Sequence, residues 1–183
     1  MKKKIIALAL GVMLLAGCGS TASAPATETK TGLGHAVSIA KSVDATADKA
    51  GQAQVNTVMA AATFDADGKI LAVTIDNAQV KVDFDAQGKL KTDKSVAPKT
   101  KVELGDDYGL IKGSKIGKEW YQQIAELEKW MIGKTVDEVK AMKVKKVDDA
   151  HPSVPDIADL NSKVTISVED YIFAVEEAYK NAK

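Results

Sequence analysis

Residues 54–75 read QVNTVMAAATFDADGKILAVTI. Two runs rich in β-branched and small apolar residues, Gln54–Phe64 and Ile70–Ile75, flank Asp65-Ala-Asp67-Gly68-Lys69. An Asp-Gly pair adopts the positive-φ turn that suits two right-twisted strands, so the stretch predicts an antiparallel hairpin. Beyond it Val80, Val82 and Phe84 alternate with Lys81, Asp83 and Asp85, the period-2 pattern of a strand with one face buried and one wet. Gln87-Gly88 then turns into Lys89–Thr92, which extends the expectation to a meander of about four strands, antiparallel because the connections are short. Ala60, Ala61 and Ala62 leave room for something to lie close against that sheet.

Upstream, Gly32-Leu-Gly34 opens the ordered part, His35–Ile39 predicts a first strand, and the polar, alanine-rich Asp44–Gly51 predicts a loop. Downstream, Lys94–Asp107 contains Pro98 and few large apolar residues, and Asp106-Asp-Tyr108-Gly109 leads through a second loop to Gly117. The period then changes. Trp120, Ile124, Leu127 and Met131 recur at helical spacing with Gln122, Gln123, Glu126 and Lys129 outward, and Gly133 stops the run. Thr135-Val-Asp-Glu138 has the form of a capping box and predicts a short helix through Met142. After a polar stretch broken by Pro152 and Pro155, Ser167 is placed to cap a last helix from Val168, with Glu169 and Asp170 at its positive end. Tyr171, Val175 and Ala178 form its apolar stripe, with Ile172 and Tyr179 beside it. Strands come first and helices second, which predicts a single α+β domain: a twisted antiparallel sheet meander with helices packed against it.

The amino terminus carries a different kind of information. Lys2-Lys3-Lys4 precede an apolar run, Ile5–Ala16, too short to be a stable membrane span. Leu15-Ala16-Gly17-Cys18 resembles the bacterial lipobox, a pattern that implies lipidation of Cys18 and cleavage before it. The expected organisation is a lipoprotein signal peptide at 1–17, a flexible tether at 18–31 rich in Ser, Thr, Ala and Lys, and a domain at 32–183. The protein is then expected at the extracytoplasmic face of the cell membrane, with the membrane as its partner through the lipid on Cys18.

Composition narrows the function classes. Cys18 is the one cysteine among 183 residues, so there is no internal disulfide and no thiolate metal site. All 25 basic residues are lysine, so a bound phosphate would be held by lysine, hydroxyls or backbone N–H groups and not by an arginine fork. Loss of Lys2, Lys3 and Lys4 leaves 22 lysines against 25 acids, a mildly acidic chain that argues against nucleic acid as a partner. His35 and His151 lie far apart in sequence, and Asp65-x-Asp67-Gly68 lacks the distal ligands of a calcium loop. Asp106-Asp107 reads as a pair of solvated turn acids, and no Ser-His-Asp or Cys-His arrangement is legible.

One wider pattern remains. Asp159-Leu-Asn-Ser162-Lys-Val-Thr165 resembles the D-x-x-[ST]-G-A-[ST] motif of FMN-binding domains, whose last hydroxyl receives FMN through a phosphoester bond. With the Asp67-Gly68-Lys69-Ile70 hairpin, Asp107-Tyr108-Gly109 and the helix at Glu119-Trp-Tyr121, the order of features from Val55 to Ala182 is similar to the FMN-binding domains of bacterial surface lipoproteins linked to extracellular electron transfer. The resemblance implies a cofactor site at Asp159, Ser162, Lys163, Thr165, Ser167 and Tyr108, with FMN as cofactor and membrane redox proteins as partners. Lys163-Val164 stand where the family has Gly-Ala. They stiffen the acceptor segment, so the expectation is weak covalent attachment at most, with the flavin phosphate near Lys163, Thr165 and Ser167. The protein then acts as an electron carrier, or as a flavin-free surface binding or structural lipoprotein that keeps the fold.

Overall fold

The hairpin forms where the Asp-Gly pair puts it. In the computed structural model, which describes residues 28–183, strand β2 (Gly51–Phe64) runs antiparallel to β3 (Ile70–Phe84). Asp65 Oδ1 accepts the Asp67 and Lys69 N–H groups at 3.0 and 2.8 Å across the turn, and Gly68 sits at φ +76°, a region that glycine enters without steric cost.

The rest of the meander differs from expectation. β3 is one strand of 15 residues, so Asp76-Asn77-Ala78-Gln79 continue the ladder instead of separating two strands. No fourth strand follows: Phe84 and Leu90 form a single bridge. Asp93 Oδ1 then takes the Ser95 N–H and hydroxyl at 2.8 and 2.7 Å, which curls the chain away from the sheet edge. The third strand is β1 (Lys30–Ser38), and the sheet order is β1-β2-β3. β1 begins two residues before the expected boundary at Gly32, because Thr31 exchanges both backbone hydrogen bonds with Lys183 at 3.2 Å and its hydroxyl meets that of Thr63 at 3.0 Å. Lys30 and Thr31 therefore belong to the sheet and not to the tether. The expected signal peptide, Cys18 and residues 18–27 of the expected tether lie outside the described residues.

After β3 come α1 (Lys101–Leu104), 3-10 turns at Gly105–Tyr108 and Leu110–Lys112, α2 (Trp120–Met131) and α3 (Val136–Lys140). A two-residue ribbon, β4 (Val144–Lys145) with β5 (Val154–Pro155), and α4 (Glu169–Lys180) complete the chain. α2 buries the Trp120, Ile124, Leu127 and Met131 stripe that its spacing predicts. α3 has the reciprocal Thr135–Glu138 cap. α4 departs from expectation at its start, since Val168 holds the cap position without a side-chain bond. Ser167 Oγ instead accepts the Ser153 N–H at 3.3 Å, while the Val168 N–H goes to the Ser153 carbonyl at 3.0 Å. The neighbouring segment thus takes the hydroxyl that would have capped the helix.

α4 lies on the face of β1 that carries Gly32 and Gly34, while Leu33 and Val37 project to the opposite face and stay exposed. Phe64, Ile70, Ile75, Leu160, Val164, Val168 and Val175 join the α2 stripe in one core. Ala60 and Ala62 are buried within it beside Ala174 and Ala178 of α4, so what lies close against the small residues of β2 is protein. Among the described residues no helix is long and apolar enough to cross a membrane.

Candidate functional site

The inward face of the sheet changes chemistry along its length. β2 places Gln54, Asn56, Val58, Ala60, Ala62 and Phe64 at alternate positions, and the register sets Asn56 against Gln79, Val58 against Asn77 and Ala60 against Ile75. From Val58 to Phe64 that face is core; from Asn56 to Gln54 it is carboxamide. At the carboxamide end a cleft of about 560 Å³ opens, walled by Tyr108, Leu110, Trp120 and Tyr171, a size in the range of small-molecule and cofactor sites.

Each wall is held by an identifiable contact. Glu119 is buried at the start of α2 and accepts the Leu110 and Ile111 N–H groups at 2.8 and 3.0 Å, which fixes the turn bearing Tyr108. Trp120 Nε1 donates to the Tyr171 hydroxyl at 2.9 Å, and the two rings meet edge to face with centroids 5.9 Å apart. Burial holds both tyrosine phenols above their usual range, with Glu119 adding to the effect at Tyr108.

Two buried groups on the floor and wall have no counterpart. Asn77 is 5% exposed and among the described residues its Oδ1 has no hydrogen-bond partner, whereas Gln54 Nε2, farther along the sheet, donates to Asn56 Oδ1 at 3.1 Å. Leaving a buried acceptor unpaired costs about 1–3 kcal/mol. Lys101 is 9% exposed, with Nζ 4.8 Å from the Tyr108 ring centre and 5.2 Å from that of Trp120. No carboxylate among the described residues lies within ion-pair distance of it. The short helix α1 sets its position: Thr100 and Glu103 cap it reciprocally, and the Val102 N–H donates to Asp76 Oδ1 at 3.2 Å, tying α1 to β3 beside Asn77.

Burial pushes the Lys101 ammonium down to about 8 from 10.5, with Asp76 opposing the shift and Lys81 adding to it. The folded state therefore disfavours the charge. Below about 8 both folded and unfolded chains carry the proton and the cost is fully present; between about 8 and 10.5 the unfolded chain binds more protons, so this group makes stability rise with pH. Lys101→Met is expected to stabilise the protein near neutrality by on the order of 2 kcal/mol and to remove that rise, as checked by urea titrations at several pH values.

Of the residues the sequence singled out, Tyr108 and Ser167 line this cleft. The others lie elsewhere. Asp159 and Ser162 are exposed on the loop before α4. Lys163 Nζ pairs with Glu126 at 3.4 Å, and Val164 is fully buried in the core. The Thr165 N–H and hydroxyl both reach Gln123 Oε1, at 2.8 and 3.3 Å. Thr165 borders a separate cavity of about 290 Å³ with Lys115, Lys145 and Asn161, and His151 edges both spaces. Lys163, Thr165 and Ser167 thus do not converge on one phosphate-sized site.

Sequence reading did not single out Lys101, Asn77, Gln54, Asn56 or Gln79. The four amides did leave a signal, standing in phase with the apolar, inward positions of two strands, where periodicity calls for valine or isoleucine.

A chlorophenol reductase from Desulfitobacterium hafniense is 32% identical over 108 residues, covering 53% of this chain and 33% of that protein. The chain thus spans about a third of the length of this curated relative. No family model matches the chain, and no solved structure matches it.

The residues of the cleft suit a flavin ring: aromatic walls, an amide floor and an unpaired buried acceptor. Those of the attachment motif do not suit a covalent bond. Thr165 is tied to α2 through Gln123, and its neighbour Val164 is anchored in the core.

Proposed function

We propose that this chain is an extracytoplasmic lipoprotein, anchored by lipid on Cys18, whose domain holds FMN without a covalent bond in the cleft above Asn77 and serves as an electron carrier to membrane redox partners. The observation that carries this reading is the row of carboxamides, Gln54, Asn56, Asn77 and Gln79, that a sheet face apolar toward the hairpin presents along the cleft. A domain with no use for a polar ligand gains nothing from such a floor, which costs more to bury than valine. The partial likeness to a reductase supports a redox role. Bound FMN supplies the electron chemistry; the chain orients the ring, limits water access through Trp120 and Tyr171, and places the Lys101 charge beside it.

Purified protein, or apoprotein titrated with FMN, is expected to show flavin absorbance that acid denaturation releases in full. Thr165→Ala should leave both the yield and the release unchanged. Colourless protein that FMN cannot reconstitute would leave the flavin-free surface binding or structural lipoprotein as the reading. Cys18→Ala is expected to move the protein out of the washed membrane fraction, and retention there would remove the lipid anchor from the proposal.

A further inference from the structure

We propose that the cleft holds its ligand by an anionic oxygen group, with the Lys101 ammonium as the counter-ion. This rests on the reading that the cleft holds a flavin, and it names the chemistry that fastens it: a phosphate, or a ring oxygen that shares a negative charge.

Lys101 is buried and lines the cleft, and the chain leaves its charge without a counter-ion. The carboxylates nearest to it are engaged with backbone. Glu119 gives its two oxygens to the Leu110 and Ile111 N–H groups, and Asp76 Oδ1 accepts those of Asn77 and Val102 at 2.7 and 3.2 Å. Asp149, Glu169 and Asp170 also line the cleft but are exposed, where water and salt screen them. The tyrosines beside Lys101 are donors as well, since burial keeps the Tyr108 and Tyr171 phenols protonated and the Tyr171 oxygen already accepts Trp120 Nε1. The Tyr108 and Trp120 faces stabilise the cation without cancelling its charge.

Nζ is also open to a ligand. Among the described residues the polar side-chain atom that is both unpaired and sealed from solvent is Asn77 Oδ1; Nζ, equally unpaired, is not sealed, so its N–H groups face the cleft. A buried unpaired charge costs stability, and an arriving anion removes that cost while forming a charge-assisted hydrogen bond. The chain contains no arginine to do this instead. Lys163 is paired with Glu126, and Lys41, the other lysine of the cleft, is exposed.

The experiment follows binding by equilibrium dialysis of the full chain, in detergent and freed of any endogenous flavin. The probes are FMN and riboflavin, which share a ring and differ in the phosphate, each oxidised and each reduced by dithionite without oxygen near neutral pH, where the reduced ring carries negative charge. Wild type is expected to prefer the charged member of a pair about tenfold or more. Oxidised FMN over oxidised riboflavin assigns the phosphate to Lys101; reduced riboflavin over oxidised riboflavin assigns the ring. Lys101→Met should abolish the preference while melting above wild type, so that lost binding is not lost fold, and Lys101→Gln should abolish it too. Lys163→Met should keep it. Flavin binding by wild type with neither preference, or a preference that survives both Lys101 variants, overturns the anion assignment and leaves the flavin reading standing. Wild type that binds neither flavin in either state overturns that reading and the assignment with it.

Discussion

Gly34→Ala is expected to lower the melting temperature by about 10 °C or more. A Cβ at Gly34 would stand 2.0 Å from the Ala174 carbonyl oxygen and 2.3 Å from the Ala178 nitrogen; at Gly32 it would stand 1.8 Å from the Ala178 carbonyl oxygen. These are backbone atoms, so no rotamer change relieves the clash. α4 would have to lift from β1, drawing Ala174, Val175 and Ala178 out of the core. Gly113→Ala is the matching control: φ is −112° and the nearest atom to the new methyl is 3.9 Å away, so its melting point should stay within about 2 °C. A Gly34→Ala protein that melts with wild type would mean that α4 does not pack on β1 as described.

Glu119→Ala is expected to cost about 3 kcal/mol and to undo the wall of the cleft at the same time. The carboxylate accepts the Leu110 and Ile111 N–H groups, while the Glu119 N–H donates to Gln122 Oε1 at 2.8 Å in the first turn of α2. Removing it orphans the two loop donors and loosens the segment that carries Tyr108. Denaturant titration should show the loss of stability, and amide exchange at Leu110 and Ile111 should accelerate by more than that global loss explains. Unchanged local exchange would show that the loop is held by its own 3-10 bonds. Glu119→Gln keeps one acceptor oxygen and should fall between the two.

Where the local chemistry was self-contained, the sequence was legible. The Asp65–Lys69 turn, the Thr135–Glu138 cap and the α2 stripe each depend on residues within a few positions of one another, and each formed as expected. What depended on distant partners was not. Asp76-Asn77 has the composition of a turn, yet pairing with Val58 and Met59 keeps it in a strand. Ser167 had the right offset to cap α4, but the Ser153 N–H takes its hydroxyl. The Asp159–Thr165 motif drew attention to hydroxyls, while Gln123, which looked like an outward helix residue, is buried and holds Thr165. Lys101 was hidden most thoroughly, because a four-residue helix leaves no periodicity and a lysine is ordinarily assigned to the surface.

The register of β1 also sets how far the cleft stands from the point where the chain enters the fold. β1 starts at Lys30 beside Phe64, at the hairpin end of the sheet, whereas Asn56 and Gln54 lie toward the far end of β2. At about 3.3 Å per residue the floor of the cleft stands roughly 25 Å along the strand from the point where the chain enters the fold. A domain moored through the residues before Lys30 would therefore have roughly 25 Å of sheet between its mooring and its cleft.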